Sequence, residues 1–318
     1  MLERARRETA KRMDKLLHIL NGDVALRALG EAGIRGERLV WREIYTAGPL
    51  CADLLDDAAR STRAAWLEEA YGIPGADYSL GCERQQKQAI EAVEAGRTLA
   101  IWLDPDLFDQ AIWMAVSSLL VPYCWKAFIV PLPYGPCDAA RMEESWQRKS
   151  EISATELEAG ARAWEAYCSL SPERIEHWLQ ADGELLPETA DALRFHLLRY
   201  PGEDGLGIVE RLTLRALSGD ERNGLPLAEL FRSVSEQAPL FGMGDLQYWR
   251  IVERLATGPS ALLRLESGGT KVYGLPKLGA PPDYSAKLEP FGREVLEGTR
   301  KAEKGMAEVH TFTGSRTL

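Results

Sequence analysis

The sequence lacks most of the short motifs that reveal a function directly. It contains neither a P-loop nor a GxGxxG motif, and no apolar run approaches the roughly 20 residues that a membrane helix needs. The five cysteines include no CxxC pair and are odd in number, which argues against a disulfide framework and against a zinc knuckle. We therefore expect no membrane span, and reduced thiols in a cytoplasmic protein.

Basic residues are fewer than acidic residues. The chain has 38 Lys and Arg against 48 Asp and Glu, and its net charge is −10. Binding to nucleic acid or to an anionic membrane relies on clustered Lys and Arg, so this balance makes both classes of partner poor candidates. Residues 1–12 mix basic and acidic side chains without the apolar stretch of a secretion signal, and we expect them to form an extension outside the fold.

The first half of the chain alternates strand and helix patterns. At 318 residues the chain is long enough for two domains. Interleaved strands and helices predict an α/β fold over residues 13–149, with a Rossmann-like, mostly parallel sheet covered on both faces. The predicted strands are 16–20, 37–44, 98–103 and 127–132, and the predicted helices are 24–32, 52–71, 83–94 and 107–120.

The second half of the chain follows a different pattern. Residues 150–200 have helical spacing throughout and predict a helical connector. In residues 201–318 three helical segments precede two strand-like runs joined by a Gly-Gly turn, an order typical of a winged-helix-like domain. The predicted helices are 207–217, 227–235 and 246–256, and the strands are 261–266 and 271–275.

A winged helix suggests DNA binding, but the charges of this segment oppose it. Between positions 204 and 298 there are 11 basic and 13 acidic residues, and the third helix has no basic face. We therefore favour contact with a protein partner, self-association or packing within the chain. A DNA-binding regulator remains an alternative.

Polar residues follow the first predicted strand. Asn21, Gly22 and Asp23 form a turn signature in which the glycine permits a tight turn and the aspartate can cap the next helix. Free N–H groups at that helix start can hold an anion. His18 lies just before them inside an apolar run, where a hydrogen-bonded core role is favoured over a general base. Arg42 and Glu43 follow the second strand. They could bind an anion there, or they could have a structural role as a pair.

A second polar cluster follows the third predicted strand. Asp104, Asp106, Asp109 and Gln110 stand where that strand runs into a helix, and the carboxylates could hold Mg²⁺ or position a water. The competing interpretation is that Asp104 or Asp106 caps the helix. Ligands of an open parallel sheet bind beyond the carboxyl ends of its strands, so we expect both clusters to converge there.

Several of these motifs recur in order in a known family. The sequence resembles domain of unknown function 1835, a bacterial family often followed by a second uncharacterised C-terminal domain. The stretches that carry the resemblance are His18–Asp23, Leu39–Ile44, Gly48-Pro49, Trp102–Gln110, Asp204–Leu206, Glu210-Arg211, Gly244-Asp245 and Trp249-Arg250.

The resemblance implies no established activity, and the sequence departs from the family pattern in three places. Val24 stands where the family usually has a serine, and Pro105 where it usually has a histidine. The family's tryptophan-leucine-glycine-glycine ending is only faintly similar to Thr311–Gly314 here. If the family site is catalytic, these differences imply that this chain is specialised or impaired.

Three functions are consistent with the sequence. The favoured one is binding of a small phosphorylated or nucleotide-like ligand by the N-terminal domain, with protein contacts made by the C-terminal domain. The alternatives are a metal-assisted phosphoesterase or nuclease and the DNA-binding regulator. No metal ligand set, cofactor or catalytic residue is assigned from the sequence.

Overall fold

A computed structural model of the protein describes residues 15–123, 125–132, 137–169, 171–219, 224–275 and 283–302. The predicted extension over residues 1–12 and the segment 311–314 lie outside these ranges. Within them, no helix combines the length and the apolar character needed to cross a membrane.

The N-terminal part contains a five-stranded sheet in the order β2-β1-β3-β4-β5. The first four strands are parallel, as the alternating pattern predicts, and β5 is a short antiparallel strand that the sequence analysis did not identify. The strands are β1 (Leu16–Leu20), β2 (Glu37–Val40), β3 (Thr98–Leu103), β4 (Lys126–Pro131) and β5 (Ser150–Glu151).

Helices cover both faces of this sheet, so the mixed α/β architecture is confirmed. One apolar cluster joins α1 and α5 to the sheet, and a larger one joins α3 and α4 to the opposite side. The helices are α1 (Asp23–Glu31), α2 (Asp57–Tyr71), α3 (Gly75–Glu94), α4 (Leu107–Leu120) and α5 (Ala139–Gln147).

Three predicted boundaries were wrong in this part. The second strand ends at Val40 instead of residue 44 because the chain turns inward there as a buried loop. Helix α2 begins only at Asp57, where the Asp56 side chain accepts two backbone N–H bonds as a cap. Helix α3 begins at Gly75 instead of residue 83, so it runs for 20 residues.

The connector is helical, as predicted, and it consists of three helices. The first begins with a capping box in which the Ser153 and Glu156 side chains each bond the other's backbone N–H. It packs along α4 at Gly160, where a Cβ would lie only 2.7 Å from the Ser117 hydroxyl oxygen. The helices are α6 (Ala154–Cys168), α7 (Pro172–Ala181) and α8 (Pro187–Leu197).

The C-terminal part contains a second sheet, four-stranded and antiparallel, in the order β6-β9-β7-β8. The predicted three helices and the hairpin with its Gly-Gly turn are present, whereas β6, β9 and α12 were not predicted. The helices are α9 (Ile208–Ser218), α10 (Leu227–Gln237), α11 (Asp245–Leu255) and α12 (Pro290–Leu296), and the strands are β6 (Leu225–Pro226), β7 (Leu263–Ser267), β8 (Thr270–Val272) and β9 (Tyr284–Leu288).

A loop over residues 41–50 follows β2, and it is buried apart from the exposed Arg42 and the half-buried Ile44. Its polar backbone is satisfied mainly by Arg63 of α2, whose guanidinium donates to the carbonyls of Ile44, Ala47 and Pro49 at 2.8–3.0 Å. The same guanidinium forms a two-pronged pair with the Glu43 carboxylate at 3.0 and 2.7 Å. Because a buried backbone carbonyl must find a donor, this one side chain allows the loop to lie inside the protein.

The other two parts of the chain also bond to this loop. Tyr167 of α6 donates its hydroxyl to the Tyr45 carbonyl at 3.1 Å, and Arg199, which follows α8, donates to the Thr46 carbonyl at 2.8 Å. Gln247 of α11 donates to the Thr46 hydroxyl at 2.6 Å. A single apolar cluster accordingly extends from β1 through the connector to the C-terminal sheet.

We expect Arg63→Met to lower the free energy of unfolding by about 3–5 kcal/mol, because it leaves the buried Glu43 carboxylate without its positively charged partner and the Ala47 and Pro49 carbonyls without their side-chain donor. Urea denaturation followed by tryptophan fluorescence measures the change. The matched control is Arg174→Met on α7, where the side chain is exposed and the expected change is within about 0.5 kcal/mol. Equal effects of the two substitutions would contradict the assigned role of Arg63.

Candidate functional site

The carboxyl ends of β1 and β3 lie side by side at the point where the strand order reverses. The chain leaves β1 towards β2 on one side, whereas β3 leads to β4 on the other. Asn21, just after β1, donates its side-chain amide to Asp109 of α4 at 2.7 Å. The two polar clusters predicted from the sequence therefore meet, at the location expected for an open parallel sheet.

Most side chains of the second polar cluster point into the protein and form hydrogen bonds with its backbone. Asp106 caps α4 by accepting the Asp109 N–H at 3.0 Å, which is the capping role considered above. The Asp109 carboxylate also accepts the Asp104 N–H at 2.6 Å. Gln110 donates to the Asp104 carbonyl at 3.0 Å and accepts the Thr189 hydroxyl at 2.8 Å. These bonds position the turn after β3.

The C-terminal part covers this acidic cluster. Gly242 packs directly on the Asp106 carboxylate with a φ of 61°, and any side chain at that position would collide with Asp106. In the ranges that the structure describes, no three His, Cys, Asp or Glu side chains are arranged so that they could hold a metal ion together.

Burial raises the pKa values of all three aspartates. The pKa of Asp104 rises to about 7 because burial and then the neighbouring Asp106 both oppose its charge. Burial raises the pKa of Asp106 to about 6, and the pKa of Asp109 is raised well above its ordinary range by burial and by the other two carboxylates. The cluster thus holds protons at pH values where exposed aspartates are ionised.

His18 is a core residue. Its Nδ1 accepts the Trp102 indole N–H at 3.1 Å, so Nε2 carries the proton and donates to the Arg35 carbonyl at 3.2 Å. Burial lowers the pKa of His18, and its ring packs against Trp102 and Trp146. Both ring nitrogens are bonded within the protein, which agrees with the favoured core role.

The turn after β1 differs from the prediction in two details. Gly22 has an extended backbone, with φ −177° and ψ 177°, which any residue can adopt. Asp23 does not cap α1; it is the first residue of the helix, and its carboxylate pairs with Arg42 at the surface. No side chain caps this helix start. Its first N–H groups therefore have no side-chain acceptor among the described residues.

A cleft of about 720 Å³ runs along the outer edge of β2. Asn21 and Leu26 line it beside α1, and one face of α3 forms the opposite wall. Three arginines border it: Arg38 on β2, Arg42 just after β2, and Arg84 on α3. Of the predicted site residues, Asn21, Arg42 and Glu43 line this cleft, whereas the aspartates after β3 do not.

Glu43 belongs to a buried network at the base of the cleft. Besides its pair with Arg63, its carboxylate accepts the Tyr78 hydroxyl, and the Cys82 sulfur lies 4.0 Å away. Burial and then the charge of Glu43 raise the pKa of Cys82 to about 12, so the thiol remains protonated at neutral pH. Glu43 therefore has a structural role, but its partner is Arg63 and not Arg42, which pairs with Asp23 instead.

Gln85 of α3 is the most unusual residue of the cleft wall. It is only 5% exposed, and its Oε1 accepts the backbone N–H of Arg42 at 3.0 Å. Its Nε2 is buried and has no hydrogen-bond partner among the described residues. Sequence reasoning missed Arg38, Arg84 and Gln85, because nothing in their spacing shows that α3 lies beside the edge of β2.

Comparison with known proteins does not assign the chain to a family. No protein-family model matches the sequence, and no curated protein shows significant similarity to it. The resemblance to domain of unknown function 1835 therefore stays a prediction.

The aspartate cluster should make stability depend on pH. The pKa of Asp104 is higher in the folded protein than in the unfolded chain. The protonated carboxyl therefore contributes fully to the free energy of unfolding below about pH 4, and this contribution is lost as the pH rises to about 7. Asp104→Asn should reduce this loss by on the order of 2 kcal/mol. Urea denaturation at pH 4, 5, 6 and 7 measures the slope.

The control for this measurement is Glu176→Gln on α7, which removes one exposed acid and should leave the slope unchanged. Parallel stability curves for wild type and Asp104→Asn between pH 4 and pH 7 would show that the carboxyl is not held in its neutral form.

Proposed function

We propose that the cleft along β2 binds a small phosphorylated or nucleotide-like molecule. The observation that carries this proposal is the set of three arginines on its border, Arg38, Arg42 and Arg84. Arg84 has no ion-pair partner among the described residues, and Arg38 makes only a weak bond of 3.5 Å to the Ile34 carbonyl. Guanidinium groups with unused donors are suited to bind phosphate oxygens.

The pair between Arg42 and Asp23 does not prevent anion binding. Both side chains are about two-thirds exposed, and an exposed ion pair contributes only about 0–1 kcal/mol. A phosphate can therefore replace the Asp23 carboxylate as the partner of Arg42 at little cost. The uncapped start of α1 lies beside this pair, and its N–H groups and helix dipole also favour an anion.

The C-terminal part is proposed to be a winged-helix-like domain that makes protein contacts. Its third helix, α11, already packs within the chain: Gln247 bonds Thr46, and the Arg250 guanidinium lies 5.3 Å from the centre of the Trp66 ring. A recognition helix needs a free face to enter a DNA groove. We also propose that the chain belongs to the family it resembles.

Titration with inorganic phosphate and ribose 5-phosphate, followed by calorimetry, tests the ligand proposal. We expect binding by the wild type and at least about a tenfold loss of affinity in Arg42→Ala and in Arg84→Ala, because each substitution removes a charge-assisted contact. Arg174→Ala on α7 removes the same charge away from the cleft and should bind normally. Equal affinity in all four proteins, or no binding to any of them, would refute the proposal.

DNA fragments should not be retarded by the protein in a gel-shift experiment at moderate salt. The physical reasons are the excess of acidic residues in the C-terminal half and the packing of α11 against the N-terminal part. A shift that is lost in Arg250→Ala and Arg254→Ala would contradict this expectation and favour the DNA-binding regulator.

A further inference from the structure

One face of helix α3 lines the cleft along β2. The lining residues of this face recur every three or four positions, from Asp77 and Tyr78 through Gly81 and Arg84 to Gln88. Helical residues at this spacing lie on the same side of the helix, so the whole face borders the cleft. Gly81, at its middle, is exposed and has no side chain, so α3 presents bare backbone to the cleft there.

The described fold does not require a glycine at position 81. Glycine inside a helix is destabilising relative to alanine, and two other helical glycines have a packing reason for it. A Cβ at Gly160 would lie 2.7 Å from the Ser117 hydroxyl oxygen, and one at Gly292 would lie 2.1 Å from the Leu262 carbonyl oxygen. A Cβ at Gly81 would meet no atom of the described residues within 4 Å, and its backbone is helical.

The walls of the cleft expose apolar surface. Four aliphatic side chains line the cleft and are only partly buried: Leu26, Val40, Ile44 and Ile73. The cleft volume of about 720 Å³ is also much larger than a phosphate group needs. Removing apolar surface from water is favourable, so a ligand that fills this cleft gains affinity from an apolar body.

Several polar side chains of the lining are already bonded within the protein. Asn21 donates to Asp109, Tyr78 donates to Glu43, and Gln88 donates to Glu37. A sugar rich in hydroxyl groups would find these polar groups engaged. The arginines on the border, in contrast, retain donors for a phosphate.

We infer that the ligand of this cleft is a phosphate monoester with an apolar body, and that this body lies against the backbone of α3 at Gly81. The inference rests on the proposed phosphate-binding function of the same cleft. Arg84 stands three residues after Gly81, so a phosphate bound by Arg84 lies about one helical turn from the bare backbone. Glycine permits a ligand to approach the backbone closely, so Gly81 sets the size of the ester group that the cleft accepts.

Calorimetric titration of the full chain with four ligands tests the nature of the ligand: inorganic phosphate, ribose 5-phosphate, hexyl phosphate and phenyl phosphate. We expect the tighter of the two apolar esters to bind at least about tenfold more tightly than ribose 5-phosphate, because it buries apolar surface that the sugar does not. Whether hexyl phosphate or phenyl phosphate binds more tightly distinguishes an aliphatic body from an aromatic one.

Gly81→Leu tests where the apolar body lies. The leucine side chain fills the space above the helix backbone, so we expect at least about a tenfold loss of affinity for the apolar esters. Binding of inorganic phosphate should change by less than about threefold, since the arginines are retained. Ala76→Leu is the matched control, because it adds an exposed leucine to the same helix outside the cleft lining and should bind every ligand normally.

The outcomes separate the two proposals. If ribose 5-phosphate binds as tightly as both apolar esters, or if Gly81→Leu keeps wild-type affinity for them, the inference is overturned while the phosphate-binding function stands. If none of the four ligands binds, both fall. Thermal unfolding of Gly81→Leu should be cooperative, with a melting temperature at or above that of the wild type, because leucine favours a helix. A clearly lower melting temperature would show that the fold itself needs this glycine, and would also overturn the inference.

Discussion

The rest of the structure depends on the bonds between Arg63 and the buried loop that follows β2. A guanidinium has five N–H donors in a rigid plane, and here they serve one carboxylate and three backbone carbonyls. Without these donors the loop would carry unpaired carbonyls into the core, and its burial would be unfavourable. With them, the loop offers the carbonyls and the hydroxyl that Tyr167, Arg199 and Gln247 bond from the connector and the C-terminal part.

The same constraint determines where the cleft lies. The chain turns inward after Trp41, so β2 ends early, and no strand in the described ranges pairs with its outer edge. Helix α3 runs beside this edge, and Gln85 bonds the outward N–H of Arg42 where another strand would otherwise pair. An unpaired edge invites association with other chains unless it is protected. Here the flanking helices α1 and α3 and the bordering arginines leave only a cleft along this edge, the cleft for which we propose an anionic ligand.

The predicted site was recovered only in part. The expectation that both polar clusters meet was sound, because the carboxyl ends of neighbouring parallel strands share one edge, and Asn21 does bond Asp109. The direction in which each side chain points could not be predicted. Asp106 and Asp109 face the turn and the Gly242 contact, while Arg42 faces the cleft. Gln85 was missed because its importance arises from a bond across 43 residues of sequence.

The sequence by itself determined the parallel strands, the connector helices and the hairpin, because hydrophobic periodicity, caps and Gly-Gly turns act over a few residues. It also determined the acidic balance of the chain, whose net charge is −10. Only the tertiary structure decided that most of residues 43–50 are buried, that β2 is an edge strand of the described sheet and that three arginines border one cleft. These features depend on donors such as Arg63, which lies 14–20 residues away in sequence, and no local pattern encodes such a pairing.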